Sequence, residues 1–90
     1  MPNFKKATQK VYYTSNSIIL PENSWINISS KTDNSGAYIW IDNVLVSYAH
    51  SSDEDQSADF AEFFAPLPKG TIIRWATDAF CTITIIPFSK

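Results

Sequence analysis

The chain has 90 residues and a formal net charge of −2, with 44% apolar and 14% aromatic residues. This length allows one domain with a modest core, and the apolar content argues against a disordered chain. The slightly acidic balance leaves no basic stripe for a phosphate backbone, so nucleic acid is disfavoured as a partner. The single cysteine, Cys81, permits neither an intramolecular disulfide nor a thiolate metal site, and its alternating context favours a small buried hydrophobe over a reactive thiol.

The N-terminal segment differs in character from the rest of the chain. Residues 1–9 are polar and basic, with Phe4 as the only anchor, and we expect them to be a lead-in or linker. Residues 10–90 are expected to form a single β-domain. No apolar h-region marks a secretory signal, and no apolar run reaches the length of about 18 residues that a membrane span needs.

From Val11 onward, short β-rich runs alternate with turn signals. Period-2 alternation and β-branched or aromatic residues predict strands in VYYT, SIIL, WINIS, YIWI, TIIRWAT and AFCTITIIPF. Turns are predicted at PEN, at KTDNSG, at LPKG as a type I turn, and across Thr77-Asp78-Ala79 as a second hairpin. The run FAEFFAPLPKG fits either one helical face or strand alternation. The regular spacing of short strands indicates a sandwich or a barrel.

The stretch AYIWIDNVLV predicts a hairpin whose two faces are both apolar. Asp42 and Asn43 tolerate the left-handed conformation of a type I′ turn, which would place Trp40 opposite Leu45 and Ile39 opposite Val46. One face would then face the core with Ala37, Ile39, Ile41, Val44 and Val46. The other face would carry Tyr38, Trp40 and Leu45. A small monomer needs only one apolar face per strand, so the second face requires a partner surface of its own.

Catalytic and metal chemistry is poorly supported by the sequence. His50 is the only histidine, and Ser51 and Asp53 lie with it in one polar loop, where they cannot hold the geometry of a catalytic triad. The carboxylates of Asp53, Asp55 and Glu62 lack an apolar pocket that would raise one pKa. The run DEDQSADFAEFF begins like a calcium loop, but it has alanine at the required glycine and phenylalanine at the required glutamate. We therefore expect no enzyme activity, no metal and no cofactor.

Four features, in this order, resemble the C-terminal tip domains of bacteriophage tail fibres and tailspikes. A Trp-Ile pair follows a short Pro-bearing turn in PENSWINI, and an aromatic hairpin follows in YIWIDNVLV, where many relatives have glycine in place of Asn43. A polar loop then leads into a strand that ends PLPKGT, and a last strand ends IIPF. Together these features extend from Val11 to Phe88, nearly the whole chain.

The resemblance implies a compact, jelly-roll-like antiparallel β-sandwich that assembles as a homotrimer at the distal end of a fibre. It implies a virion component without enzyme activity, acting at the host cell surface on a bacterial glycan or protein. In the trimer, the hairpin face with Tyr38, Trp40 and Leu45 would pack against a neighbouring subunit. The alternative is that two sheets of one sandwich, with the FAEFF segment, cover both faces within a single chain.

A receptor contact is expected first in the long polar loop from Tyr48 to Asp59, because long connections are uncommon unless they are functional or disordered. Tyr48 and His50 offer stacking surface, and sugar hydroxyls could donate to the carboxylates of Asp53, Glu54 and Asp55. Two other functions stay open: a monomeric carbohydrate-binding module with an exposed Trp or Tyr platform, and a purely structural trimerisation cap.

Overall fold

A computed structural model describes residues 1–50 and 59–88, and within these ranges it contains eight strands and a single 3₁₀ turn at Phe4–Lys6. The strands are β1 (Thr8–Tyr12), β2 (Asn16–Ile19), β3 (Ser24–Thr32), β4 (Ala37–Ile41), β5 (Val44–Ala49), β6 (Asp59–Leu67), β7 (Ile72–Ala76) and β8 (Cys81–Pro87). The all-β prediction is confirmed. The ambiguous FAEFF run lies in strand β6.

The strands form two four-stranded antiparallel sheets. The first sheet has the order β1-β8-β3-β6, and the second has the order β2-β7-β4-β5. Within these sheets β1 pairs with β8, β2 with β7, β3 with β6, and β4 with β5. The chain therefore follows a long antiparallel ribbon whose tip is the β4–β5 hairpin, and the ribbon is folded over into two layers.

The inner faces of the two sheets supply the core, which gives the molecule a sandwich-like architecture. The first sheet contributes Ile26, Ile28 and Ile83, and the second contributes Ile39, Ile73 and Trp75, all at most 2% exposed. Each fully buried aliphatic side chain of this kind stabilises the fold by about 1.5–3 kcal/mol relative to an exposed one.

The β4–β5 hairpin matches the predicted turn but not the whole predicted register. Asp42 and Asn43 have φ angles of 48° and 67°, as a type I′ turn requires, and Trp40 lies opposite Leu45. A β-bulge then pairs Ile39 with Ser47, so the predicted pairing of Ile39 with Val46 is wrong. A bulge adds one residue to one strand, and here the bulged strand β5 is an edge strand.

The bulge and the edge position also explain why β5 contributes little to the core. Val44 is 61% exposed and Val46 is 38% exposed, so neither is buried in the core as the sequence predicted. Ala37 and Ile39 of β4 are buried as predicted, and Ile41 packs partly against the core.

The segment between β7 and β8 is not the predicted hairpin, because β7 and β8 belong to different sheets. Residues 77–80 cross from one sheet to the other. The Thr77 hydroxyl donates to the Lys31 carbonyl at 2.6 Å, and the Asp78 carboxylate accepts hydrogen bonds from residues 32–35, at the end of β3 and just after it. These contacts hold the segment against the end of β3, the strand with which β8 then pairs.

The turn before β7 also differs from the predicted type I turn. The Thr71 N–H donates to the Pro68 carbonyl at 3.2 Å, which places Gly70 at the third turn position. Gly70 has a φ of 89°, the sign that this position of a type II turn requires. Glycine adopts such an angle without steric cost.

The N-terminal segment lies along the end of β8. The Asn3 N–H donates to the Pro87 carbonyl at 2.6 Å, and Pro2 forms an isolated bridge with Phe88. Strand β1 begins at Thr8, so the last two residues of the expected lead-in, Thr8 and Gln9, already pair with β8.

Cys81 should be inert in the folded protein. Its side chain is fully buried, and burial raises the pKa of the thiol to about 12, although a hydrogen bond with Ser30 acts in the opposite direction. Because the thiolate is the reacting species, a colorimetric disulfide reagent at pH 8 should label no cysteine in native protein and one after denaturation in urea. Rapid labelling of native protein would contradict this assignment.

Candidate functional site

The outer face of the second sheet, turned away from the core, carries a surface of large side chains. Strand register places Tyr38 and Trp40 of β4 on this face, with Tyr48 opposite Tyr38 and Leu45 opposite Trp40. On the other side of β4, Arg74 of β7 lies opposite Trp40. Adjacent positions on one face of antiparallel strands are close enough for these side chains to touch.

Four rings on this face, those of Tyr38, Trp40, Tyr48 and His50, form a continuous set that we call the aromatic cluster. The rings of Tyr38 and Trp40 are stacked, with centroids 5.7 Å apart. The His50 ring lies edge-on to Tyr38 at 6.0 Å and to Tyr48 at 5.7 Å. Tyr38 and Trp40 are half-buried, whereas Tyr48 is 62% exposed and His50 is also exposed. The cluster therefore presents ring surface to solvent on a rigid base.

The position of Tyr38 depends on the residue that precedes β4. A Cβ atom added at Gly36 would come within 3.0 Å of the Tyr38 hydroxyl oxygen and within 3.1 Å of its ring. Glycine thus leaves room for the ring to lie close against the backbone. The loop that leads into Gly36 is itself held by hydrogen bonds from Asp33 and Ser35 to Asp78.

Arg74 contacts the aromatic cluster directly. Its guanidinium carbon lies 3.9 Å from the centroid of the Trp40 ring. A cation within about 6 Å of an indole is attracted by the negative charge of the ring face. The Trp40 ring thereby positions the Arg74 charge at the centre of the outer face of the second sheet.

A shallow, open cavity of about 300 Å³ adjoins Arg74 and Trp40. Its other walls include Ser15, Asn16 and Ser17, at the start of β2. The volume is at the small end of ligand pockets, which measure roughly 300–1,000 Å³. The surface therefore combines ring faces, one cation, and a recess bordered by hydroxyl and amide groups.

No protein-family model matches this sequence, and no curated protein is significantly similar to it.

The sequence predicted two separate sites, and the structure brings residues of both together. Tyr38, Trp40 and Leu45 were assigned to a trimer interface, and Tyr48 and His50 to receptor binding. All five lie on or beside the outer face of the second sheet, with Leu45 47% exposed. The same ring surfaces cannot be covered by a neighbouring subunit and also bind a receptor, so the two roles compete. Asp53, Glu54 and Asp55 lie outside the described residues.

Arg74 is the site residue that sequence reasoning missed. In IIRWA it follows the buried Ile73 and precedes the buried Trp75, which marks it only as an outward-facing residue of a strand. Its contact with Trp40 depends on the pairing of β7 with β4, two strands that are distant in sequence. No pattern within a short stretch of the sequence predicts that Arg74 and Trp40 are in contact.

The outer face of the first sheet holds a second group of rings. Trp25 stacks on Phe64 with centroids 5.0 Å apart, and Phe88 lies edge-on to Trp25 at 6.3 Å. Ile86 pairs with Trp25 on the same face, yet it is only 6% exposed. The pairing with Trp25 therefore helps to shield an outward-pointing isoleucine from water.

Metal ligands are not grouped in the part of the chain that the structure describes, where no three His, Cys, Asp or Glu side chains could hold an ion together. Among the same residues, no helix has the length and apolar character needed to cross a membrane.

Proposed function

We propose that this protein is a non-enzymatic jelly-roll domain that binds a bacterial surface glycan on its aromatic cluster, as the tip of a phage tail fibre or tailspike. The observation that carries the proposal is the contact between four partly exposed rings on a rigid sheet, beside a small open cavity.

The strand order supports the jelly-roll assignment. A jelly roll is a sandwich of eight strands built from two Greek keys, and it is found in viral and lectin domains. In this chain β1 pairs with β8, β2 with β7, β3 with β6 and β4 with β5, as in the ribbon of a jelly roll. Folding the ribbon over adds the pairs β8–β3 and β7–β4 and gives the orders β1-β8-β3-β6 and β2-β7-β4-β5. Jelly rolls host many functions, so the choice of ligand depends on the surface rather than on the fold.

The chemistry of the surface favours a sugar. The rings of Tyr48 and His50 are exposed and apolar on their faces, which suits the C–H face of a sugar ring, and the cavity rim offers groups that can hydrogen-bond to hydroxyls. Aromatic platforms also stack nucleic-acid bases, but such sites track the phosphate backbone with a positively charged groove. A net charge of −2 and a single arginine on this face do not supply one.

A homotrimer is the second candidate use of the same face. Ile19 and Ile72 pair on the same outer face, two positions along their strands from Ser17 and Arg74, and are 68% and 41% exposed. Soluble monomers tend to keep contiguous apolar patches small. Short chains also gain stability by oligomerisation. In that arrangement Trp40, Tyr38 and Leu45 would lie between subunits, as the resemblance to fibre tips implies.

A glycan array followed by titration calorimetry tests the proposed function. We expect wild-type protein to bind at least one bacterial surface oligosaccharide. Tyr48→Ala should weaken that binding roughly tenfold, and Trp40→Ala should weaken it more, because Trp40 also positions Arg74. Phe64→Ala is the matched control, since Phe64 is a similarly exposed ring, at 59%, on the edge strand of the other sheet.

Light scattering on the same variants separates the two uses of the face. If no glycan binds and Trp40→Ala converts a trimer into monomers, the surface belongs to a subunit interface. Binding that Phe64→Ala reduces as much as Tyr48→Ala would move the site away from the aromatic cluster.

A further inference from the structure

Arg74 is held in place by stacking rather than by a carboxylate. Its guanidinium lies 3.9 Å from the centre of the Trp40 ring, and its side chain is exposed at the middle of the second sheet. Within residues 1–50 and 59–88, the ion pair observed is Lys31 with Asp33, and no acidic group lies within 4 Å of the Arg74 guanidinium. The charge is therefore oriented by a ring but not neutralised by a neighbour in the described structure.

Hydrogen bonds within the chain already use part of the acceptor capacity at the rim of the cavity. The side-chain oxygen Oδ1 of Asn16 accepts from the Ser17 N–H at 2.8 Å, which leaves the side-chain NH₂ group of Asn16 as a donor. The Ser15 hydroxyl accepts from the Thr77 N–H at 3.0 Å and lies 3.4 Å from the Thr77 carbonyl, to which it donates. The groups that remain for a ligand are the Arg74 guanidinium, the Asn16 amide and the Ser17 hydroxyl.

A carboxylate is the ligand group that matches this set. An ionised carboxylate accepts hydrogen bonds and donates none, and its two oxygens fit the planar fork of a guanidinium. Because the indole already restricts the guanidinium, less side-chain freedom is lost when an anion binds. A neutral sugar, by contrast, would leave the positive charge without a counter-ion.

We infer that the glycan bound on the aromatic cluster is an acidic one, with the carboxylate of a uronic acid or related sugar acid held by Arg74 at the cavity rim. This inference rests on the proposed glycan binding and adds the chemical class of the ligand. In this arrangement the acidic sugar unit would sit in the recess of about 300 Å³ beside Arg74, and the exposed rings of Tyr48 and His50 would contact neighbouring units.

The test is an array on which each acidic oligosaccharide is printed beside its carboxyl-reduced counterpart, which keeps the backbone and removes the charge. Wild-type protein should bind the acidic member of a pair, and binding should fall roughly tenfold to a hundredfold on the reduced member. Raising the salt concentration should weaken binding of the acidic member alone.

Two substitutions assign the effect to Arg74. Arg74→Gln removes the charge and should lower affinity for the acidic glycan close to that of its reduced form, with a much smaller loss of affinity for the reduced form. Arg74→Lys keeps the charge but loses the fork, so it should give an intermediate affinity. Circular dichroism should show that both variants keep the wild-type fold, because Arg74 is exposed.

The outcomes distinguish this inference from the proposed function. Equal binding of acidic and reduced glycans, or an equal loss of both in Arg74→Gln, overturns the acidic class and leaves glycan binding in place. Binding restricted to sulfated or phosphorylated glycans overturns the carboxylate. Absence of binding to every oligosaccharide on the array overturns the proposed function itself.

Discussion

Replacing Trp75 by alanine should lower the free energy of unfolding by about 3–5 kcal/mol and shift the urea midpoint far below that of wild type. Trp75 is 1% exposed and is the largest of the fully buried side chains. The ring packs against Tyr12 with centroids 4.7 Å apart, and the indole N–H donates to the Thr14 carbonyl at 2.9 Å. Removing a buried tryptophan commonly costs about 3–5 kcal/mol, a large share of the roughly 5–15 kcal/mol that stabilises a domain.

Most of that loss should come from packing rather than from the hydrogen bond. Thr14 is exposed, so water can reach its carbonyl when the indole is absent. Trp75→Phe separates the two contributions, because it keeps a buried ring and removes the N–H; we expect it to cost about 1–2 kcal/mol. Urea denaturation followed by circular dichroism measures both variants. A Trp75→Ala protein that unfolds at the wild-type urea concentration would show that this ring is not central to the core.

The sequence predicted the strand content well because alternation is a local property. WINIS, YIWI and CTITI place buried and outward residues at every second position, and Ile26, Ile28, Ile39 and Ile83 are buried as this period requires. The turn at Asp42-Asn43 could also be predicted from local sequence, since few residues other than glycine, asparagine and aspartate adopt positive φ.

The sheet to which each strand belongs could not be predicted in the same way. Thr77-Asp78-Ala79 has the composition of a hairpin turn, yet it connects two layers. The partners of Asp78 lie at the end of β3 and in the loop after it, more than 40 residues earlier in the chain. The bulge in β5 is a second example. It moves Val46 away from Ile39, and nothing in the run NVLVSYA marks the extra residue.

The candidate site was predictable in part. Tyr38, Trp40, Tyr48 and His50 were each singled out from the sequence, but as members of two sites, and their contact in one cluster depends on the pairing of β4 with β5. Arg74 could not be joined to them, because its neighbour Trp40 lies 34 positions earlier in the chain and on another strand. A site whose residues come from strands distant in sequence can be recognised only when the strand pairing and register are known.

Replacing Asp78 by asparagine should produce the largest stability loss of any surface substitution considered above, and the loss should depend on pH. The Asp78 carboxylate accepts five hydrogen bonds: from the Thr32 and Ser35 hydroxyls and from the N–H groups of Asp33, Asn34 and Ser35. Asparagine has one acceptor oxygen instead of two, and its NH₂ group would face donors. We expect a cost of about 2–3 kcal/mol at pH 7, discounted because the carboxylate is exposed to solvent.

The pH dependence follows from the direction of the Asp78 pKa. Partial burial is the largest single influence and raises the pKa, but the hydrogen bonds from Ser35, Asp33 and Thr32 together lower it well below its ordinary value of 3.8. The folded state therefore binds the proton more weakly than the unfolded state does. The stabilisation is fully present above pH 3.8 and is lost as the pH falls from there towards the lowered pKa.

Urea denaturation of wild type and Asp78→Asn between pH 7 and pH 2 tests this account. The free energies of unfolding should differ most near pH 7 and converge below pH 3.8, because wild type loses the charged interaction and the variant never had it. Glu22→Gln is the matched control, since the described structure gives the exposed Glu22 carboxylate no hydrogen bond or ion pair, and it should change stability little at any pH. A difference between wild type and Asp78→Asn that stays constant down to pH 2 would mean that the charge on Asp78 does not hold the β3–β4 loop. The position of Tyr38, which follows that loop, would then depend on the packing of its ring against Gly36 instead.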